Sequence, residues 1–382
     1  MVIDDGRRRR LQLVQGLQWL RAAGGDPFAA LLRDHDEDQP ALYARLRERG
    51  PIWRSDTGTW VVARHGATAA LMADPAFEAR LCDWRPLGMP VMPLTERDLG
   101  LQPEQRAVLS DLARSWVGEA ALTRHEPRLT TAAGRTLDRF GGEELDLAAV
   151  AADMSMAMLT ELLALPAACG PRLAEQASRA APAVDSLLCP QGLHGTDEML
   201  TAIDDLRELF DGQPLHLVLG LVGARICVDL LCNALVALLA EPARWTELRA
   251  EPGRAAAIVT ETLRYDPPVR VQLMVAVRDT TVHSAKIMAG DQVALLIGPA
   301  NRDPDVFEAP DTFRPGRPPA PGGAVLVPGW PGALFLPLAR AQAAVALTAL
   351  VTRFPGLTAA GPVVRKVRAP VSHGVRRLPA RT

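Results

Sequence analysis

Glu261-Thr262-Leu263-Arg264-Tyr265-Asp266-Pro267-Pro268 closes a helix that begins near residue 253. The two prolines cannot continue it, and Glu261 and Arg264 stand three residues apart on one face. Alone, such a pair is an ordinary surface ion pair. Two later blocks are more particular: Ala300-Asn301-Arg302-Asp303-Pro304-Asp305-Val306-Phe307, then Pro337-Leu338-Ala339-Arg340 in a helix over 336–353 that ends at Arg353-Phe354-Pro355-Gly356-Leu357. Short β segments run through 269–297, with a turn at Ala289-Gly290-Asp291, and Pro and Gly dominate 315–332. Upstream, the pattern from 103 to about 250 is overwhelmingly helical. Its longest apolar helix, 214–240, is interrupted by Arg225 and Asp229, four apart and so placed to pair. Towards the N-terminus, residues 7–21 form an amphipathic helix with Leu13, Leu17 and Leu20 on one face and Val14 and Trp19 beside it. Gly24-Gly25-Asp26-Pro27 breaks it, a helix covers 40–49, and residues 52–63 make a β-hairpin around Asp56-Thr57-Gly58 before a helix reaching Met72.

The chain has 382 residues, 48 % apolar and 23 % charged, enough to bury a sizeable core in one domain spanning 1–382. Aromatics are only 4 %, so Ala and Leu must fill the interior, which favours close-packed helices. A net charge of −2 supplies no field for gathering nucleic acid. The cysteines Cys82, Cys169, Cys189, Cys227 and Cys232 form no pairwise framework and read as free thiols. Cys227 and Cys232 do not match zinc spacing, the histidines show no ligand pattern, and no metal is expected. Acids and then Arg7 to Arg10 open the chain with no apolar signal core behind them. No uncharged run reaches the roughly 18 apolar residues that span a bilayer. The expectation is a cytoplasmic protein with neither membrane nor nucleic-acid partner.

Together, the blocks around 261–268, 300–307 and 337–357 resemble the C-terminal half of a bacterial cytochrome P-450. The resemblance implies a mainly α fold with small β-sheets. In that family a Gly-rich loop before the Pro-Leu-Ala-Arg segment presents a cysteine thiolate to haem iron, and here that position holds Ala333. Glu261 and Arg264 match the family's buried structural ion pair. The arginine that normally joins them is replaced by Thr312, with Arg314 as the nearest substitute. The residues that hold haem propionates correspond to Gln105, Leu109 and Ala276, and the acid and threonine that deliver protons to oxygen correspond to Arg225 and Ile226. A buried propionate needs cationic or hydrogen-bonding partners, and isoleucine relays no protons. The resemblance therefore implies a P-450-like fold lacking haem, with no cofactor and no monooxygenase activity. Trp330, Pro328 and Pro331 are candidates to fill the vacated space, with Trp330 packing at the surface edge as the plainer option.

A subgroup is similar over nearly the whole chain: haem-less auxiliary proteins encoded beside deoxysugar glycosyltransferases in macrolide and anthracycline pathways. The signature is N-terminal, in Leu11-Gln12-Leu13-Val14-Gln15-Gly16-Leu17-Gln18-Trp19, Gly25-Asp26-Pro27-Phe28 and His35-Asp36-Glu37-Asp38, which makes residues 7–38 a subgroup-specific helical segment. The resemblance implies a non-catalytic protein that binds a glycosyltransferase as a hetero-oligomer and activates or stabilises it, with self-association left open. Leu13, Leu17 and Trp19 are the candidate contacts, and packing inside the molecule is the competing explanation. Two other functions stay open. One is a haem-free enzyme using the vacated cavity for non-redox chemistry, which needs convergent titratable groups, with Arg225 and Asp229 as the candidates. The other is a haem protein with an unusual ligand.

Overall fold

Helices form where apolar residues recur every three or four positions and stop at Gly or Pro steps. The computed structural model describes residues 5–34, 38–79, 103–320 and 324–382; Cys82 and the acidic run's His35-Asp36-Glu37 lie outside the described residues. Helix α1 (Asp5–Ala23) ends at Gly24-Gly25, with Gly25 at φ +94°. Asp26 then caps α2 (Pro27–Arg33), accepting from the N–H groups of Phe28 at 2.8 Å and Ala29 at 3.0 Å. Next come α3 (Gln39–Glu48), the antiparallel hairpin β1 (Trp53–Arg54) and β2 (Trp60–Val62), α4 (His65–Ala73) and β3 (Phe77–Ala79).

The helical body comes next: α5 (Pro103–Val117), α6 (Glu119–Leu137), strand β4 (Glu144–Asp146), α7 (Leu147–Leu162), α8 (Gly170–Ala180), α9 (Pro182–Asp185) and α10 (Leu193–Leu209). Then α11 (Pro214–Val218) passes through a π turn at Leu219–Gly223 into α12 (Ala224–Leu239), the buried central helix. After α13 (Pro242–Ala250) and α14 (Ala255–Tyr265) come β5 (Val271–Ala276), β6 (Thr280–Val282), β7 (Ala285–Ile287), β8 (Gln292–Leu296) and the one-turn α15 (Ile297–Ala300). Helix α16 (Gly332–Arg353) precedes the short strands β9 (Thr358–Ala359), β10 (Val364–Arg365), β11 (Val375–Arg377) and β12 (Pro379–Arg381). The main sheet has the order β1-β2-β8-β5-β3, parallel only between β2 and β8.

One large apolar cluster joins the helices, and a smaller one, including Met274, Ala276 and Phe77, fills the other side of the sheet. Helices Pro214–Leu239 and Gly332–Arg353 are long and apolar enough to cross a membrane by length and composition alone. The sequence expectation of no such segment holds only for uncharged runs, since both carry charges. Here both pack as core helices, α12 buried almost throughout.

The sequence-predicted Glu261–Arg264 pair is a buried anchor. Arg264 donates Nε to Glu261 Oε2 at 3.0 Å and Nη2 to Oε1 at 2.8 Å. It also donates to the carbonyls of Asn301, Pro310 and Thr312. The third arginine is not missing. Arg317 occupies that place, 3.5 Å from Glu261 Oε1, while Arg314 contributes only its backbone N–H at 2.9 Å and Thr312 its carbonyl. Both oxygens of the buried Glu261 carboxylate thus have donors, Oε2 from Arg264 and Oε1 from Arg264, Arg317 and the Arg314 amide.

Candidate functional site

The site that a porphyrin would need lies between α12 and the start of α16, and there the residues do not fit one. A flat ring sandwiched there requires the two elements to stand about 7 Å apart, two carbon contact distances. Instead they touch. A methyl placed on Gly332 would lie 3.7 Å from Ile226 Cδ1 and 3.1 Å from Pro328 Cβ, and one on Gly223 would lie 3.0 Å from the Phe335 ring. Ala333 is not in the preceding loop, where the sequence expectation put it. The loop already winds at Gly329, whose carbonyl accepts from Ala333 N–H at 2.9 Å, so α16 begins at Gly332 instead of near 336. Ala333 thus sits in the first helical turn with its side chain exposed.

The other positions assigned to haem contacts scatter. Gln105 is exposed on α5, and Leu109, one turn further along, is buried in the large cluster with Ile226 and Phe335. Ala276 joins the small cluster on the opposite side of the sheet and so does not face that space at all. Side chains alternate along a strand, so one residue of register sends them to opposite faces. Trp330 packs half-buried against the large cluster with the Arg106 guanidinium 4.7 Å from its ring, and Pro328 and Pro331 are buried beside it.

Arg225 and Asp229 meet as their spacing predicts, 2.5 Å apart and both buried, though off a hydrogen-bonding angle. Sequence reasoning missed their companions. Arg225 Nη2 donates to Ser372 Oγ at 2.9 Å, and Ser372 donates to Asp185 at 2.7 Å. Asp185 also accepts from the backbone N–H groups of Val371 and Ser372. These residues bring the segment 366–374, between β10 and β11, down onto α12. Burial, partly offset by Arg225, pushes the Asp229 carboxyl up to about 6 and raises that of Asp185. Burial, reinforced by Arg225, lowers the Lys366 ammonium. Each charge faces another across a closed interior, so the cluster is a tie and offers no access to a substrate. Cys227 and Cys232 are likewise buried thiols whose ionisation burial opposes, Cys232 being pushed up to about 12. Among the described residues no three His, Cys, Asp or Glu side chains converge to hold a metal ion.

The same segment is tied to the N-terminal block. Asp34 accepts from Arg270 at 2.7 Å and from the N–H of Ala369 at 3.1 Å, and His373 Nδ1 lies 3.3 Å from it. On α1 the inward stripe is Leu11, Val14 and Gln18, whose amide donates to the Leu188 carbonyl at 2.7 Å. That leaves Leu13 at 52 % and Leu20 at 65 % exposure, with Leu17 half-buried between them. Trp19, 48 % exposed, lies under the Arg33 guanidinium at 3.6 Å. The structure therefore turns the Leu13–Leu17–Leu20 face outward, and Leu20 belongs with the candidates. Spacing showed the face but could not show which way it points.

Comparison with known proteins identifies the fold and the family. The family profile described as Cytochrome P450 matches residues 255–323, the block containing the Glu261–Arg264 anchor. Protein DesVIII of Streptomyces venezuelae is 36 % identical, over 99 % of this chain and 94 % of its own. The ligand-free crystal structure of Mycobacterium smegmatis CYP164A2 shares the fold with a TM-score of 0.76 at 26 % identity, covering 93 % of this chain and 99 % of that one. Cytochrome P450 family protein EryCII of Saccharopolyspora erythraea is 32 % identical over 98 % of this chain and 97 % of its own. With a relative bearing the family's name aligned along nearly the full length of both chains, and the family's fold in three dimensions, this chain belongs to the cytochrome P450 family.

Proposed function

We propose that this chain is a haem-free, non-catalytic member of its family that binds a glycosyltransferase in the cytoplasm. That enzyme would transfer a nucleotide-activated deoxysugar to a macrolide or anthracycline aglycone, and this chain would stabilise or activate it. The observation that carries the proposal is Ala333, which offers no ligand where the family keeps its thiolate, and the close approach of Ile226 to Gly332 at the start of α16 supports it. The full-length similarity to DesVIII and EryCII supports it, as does the N-terminal block shared with the auxiliary subgroup. The outward face of Leu13, Leu17 and Leu20, with Trp19 beside it, serves as a contact with the transferase, because an apolar helix face left in water gains by being covered. Activation requires that the chain prefer the transferase's competent conformation.

Co-expression with a deoxysugar glycosyltransferase of the same pathway is the test. A stable complex is expected, with sugar transfer raised about tenfold or more over the transferase alone, the usual range for coupling between sites. A transferase equally soluble and equally active without this chain would remove the proposal.

A further inference from the structure

A long groove runs between α6 and α16, with a cavity volume of about 1120 Å³. Its floor is apolar, from Leu122, Leu129 and Leu137 on one side and Leu336 and Val345 on the other. Small residues form the rims, among them Gly134 on α6 and Ala333, Ala341 and Ala344 on α16. Small rims let a third helix approach to within the 8–10 Å at which helices pack. The size agrees. Half of a cylinder 10 Å across and about 28 Å long, the span of a 19-residue helix such as α6, occupies about 1100 Å³.

The two walls of the groove differ in charge, with carboxylates on α6 and Arg340 and Arg353 on α16. On the α6 wall Glu119, Glu126 and Asp138 are exposed and hold no ion pair among the described residues. The arginines opposite are engaged: Arg340 donates to Thr260 Oγ1 at 3.2 Å and Arg353 lies 5.1 Å over the Phe354 ring. Glu119 and Glu126 are seven residues apart, two helical turns or about 10.5 Å. The position where the family keeps its metal ligand, Ala333, is part of this wall.

Resting on the function proposed above, we infer that this groove receives one amphipathic helix of the glycosyltransferase. That helix carries an aliphatic stripe on one face and Lys or Arg residues about two turns apart on the flank that meets Glu119 and Glu126. The groove supplies the apolar floor for the stripe and the carboxylates that set its direction and register. Exposed charges of this kind act mainly on association rate and partner choice, so binding weakens as salt rises.

Binding of a full-length deoxysugar glycosyltransferase of the same pathway is measured for the wild type, for Ala341→Trp, and for Glu119→Arg with Glu126→Arg. Ala341→Trp fills the groove and is expected to weaken binding about 100-fold, the effect of blocking a central pocket. The charge reversal is expected to weaken it about tenfold at low salt and to reverse the salt dependence, so that added salt strengthens the variant's binding. Both reversed side chains are on the surface, so this variant tests the inference even if Ala341→Trp disturbs folding. If the wild type forms the complex and both folded variants bind within about twofold of it, the groove assignment is wrong while the proposed function stands. If the wild type neither binds nor activates the transferase, the proposed function falls and the groove assignment with it. A chain that is dimeric alone and becomes monomeric as Ala341→Trp would make the groove a self-contact and overturn the inference.

Discussion

Ala333→Cys would restore a sulfur to the sequence without restoring a haem site. The side chain at 333 is exposed in the first turn of α16, and the space on the other side is taken by Ile226, Pro328 and Phe335. A thiolate alone does not hold a porphyrin; the ring also needs room and partners for its propionates. The expected outcome is no Soret band for purified Ala333→Cys expressed with ample haem, the same as for the wild type. A thiolate-ligated haem spectrum in the variant would show that the niche opens and that the closing contacts are soft. Glu261 and Arg264 illustrate the opposite case. A pair that looked ordinary by spacing is completely buried, because Arg317 and three backbone carbonyls complete it.

The strap 366–374 shows how a nearly structureless element is fixed by what it crosses. Ser372 is fully buried between Asp185 and Arg225, and Gly374 passes so close to α12 that a Cβ there would run into Arg225 Nη2 and lie 2.7 Å from Asp229 Oδ1. Gly374→Ala must lift the strap or break the ion pair. Urea unfolding should register a loss of about 3 kcal/mol or more, the range for disrupting a buried charge pair. Gly361→Ala is the control: its Cβ would meet nothing nearer than Pro379 at 3.4 Å, and a change within about 0.5 kcal/mol is expected. Equal effects would mean that the strap is not seated on Arg225. Helix α1 carries the same lesson, since its inward stripe includes the polar Gln18 and leaves three leucines partly or largely outside.

Across the molecule, the N-terminal block, the strap and the sheet converge on His373. Its Nε2 lies 2.6 Å from Gln39 Nε2 and its Nδ1 3.3 Å from Asp34, so the neutral ring accepts from the amide and donates to the carboxylate. Burial, and then the Arg270 charge, lower its pKa from 6.5 to about 4 against the pull of Asp34 and Asp266; Arg365 adds to the lowering. The folded state thus refuses a proton that the unfolded chain accepts. Its stabilising contribution is present above pH 6.5 and is lost as pH falls towards 4. Asp229 has the opposite sign, because its raised carboxyl favours the folded state at low pH and that contribution is lost as pH rises through about 6. Comparing wild type with His373→Gln separates the two. The stability difference between them should shrink by about 3 kcal/mol between about pH 7 and pH 4. A difference that does not change with pH would mean that the ring titrates normally and that the strap is open to water.

The family is legible in the chain without coordinates, because Glu261 to Pro268, Asn301 to Phe307 and Pro337 to Arg340 are local strings whose order and spacing survive folding unchanged. So are most helices and the hairpin at 53–62, which arise from periodicity and from Gly and Pro steps. The substitution at Ala333 and the pairing of Arg225 with Asp229 belong to the same category, one being an identity and the other a spacing within a single helix. What could not be read are the relations between segments far apart in the chain. Arg317 replaces the absent arginine, Asp185 and Ser372 join Arg225, Ala276 faces the wrong side of the sheet, and Leu13 and Leu20 of α1 point outward. Periodicity identifies which residues share a face; only the packing of one element against another sets whether that face meets protein or water, and which distant charge a buried one finds.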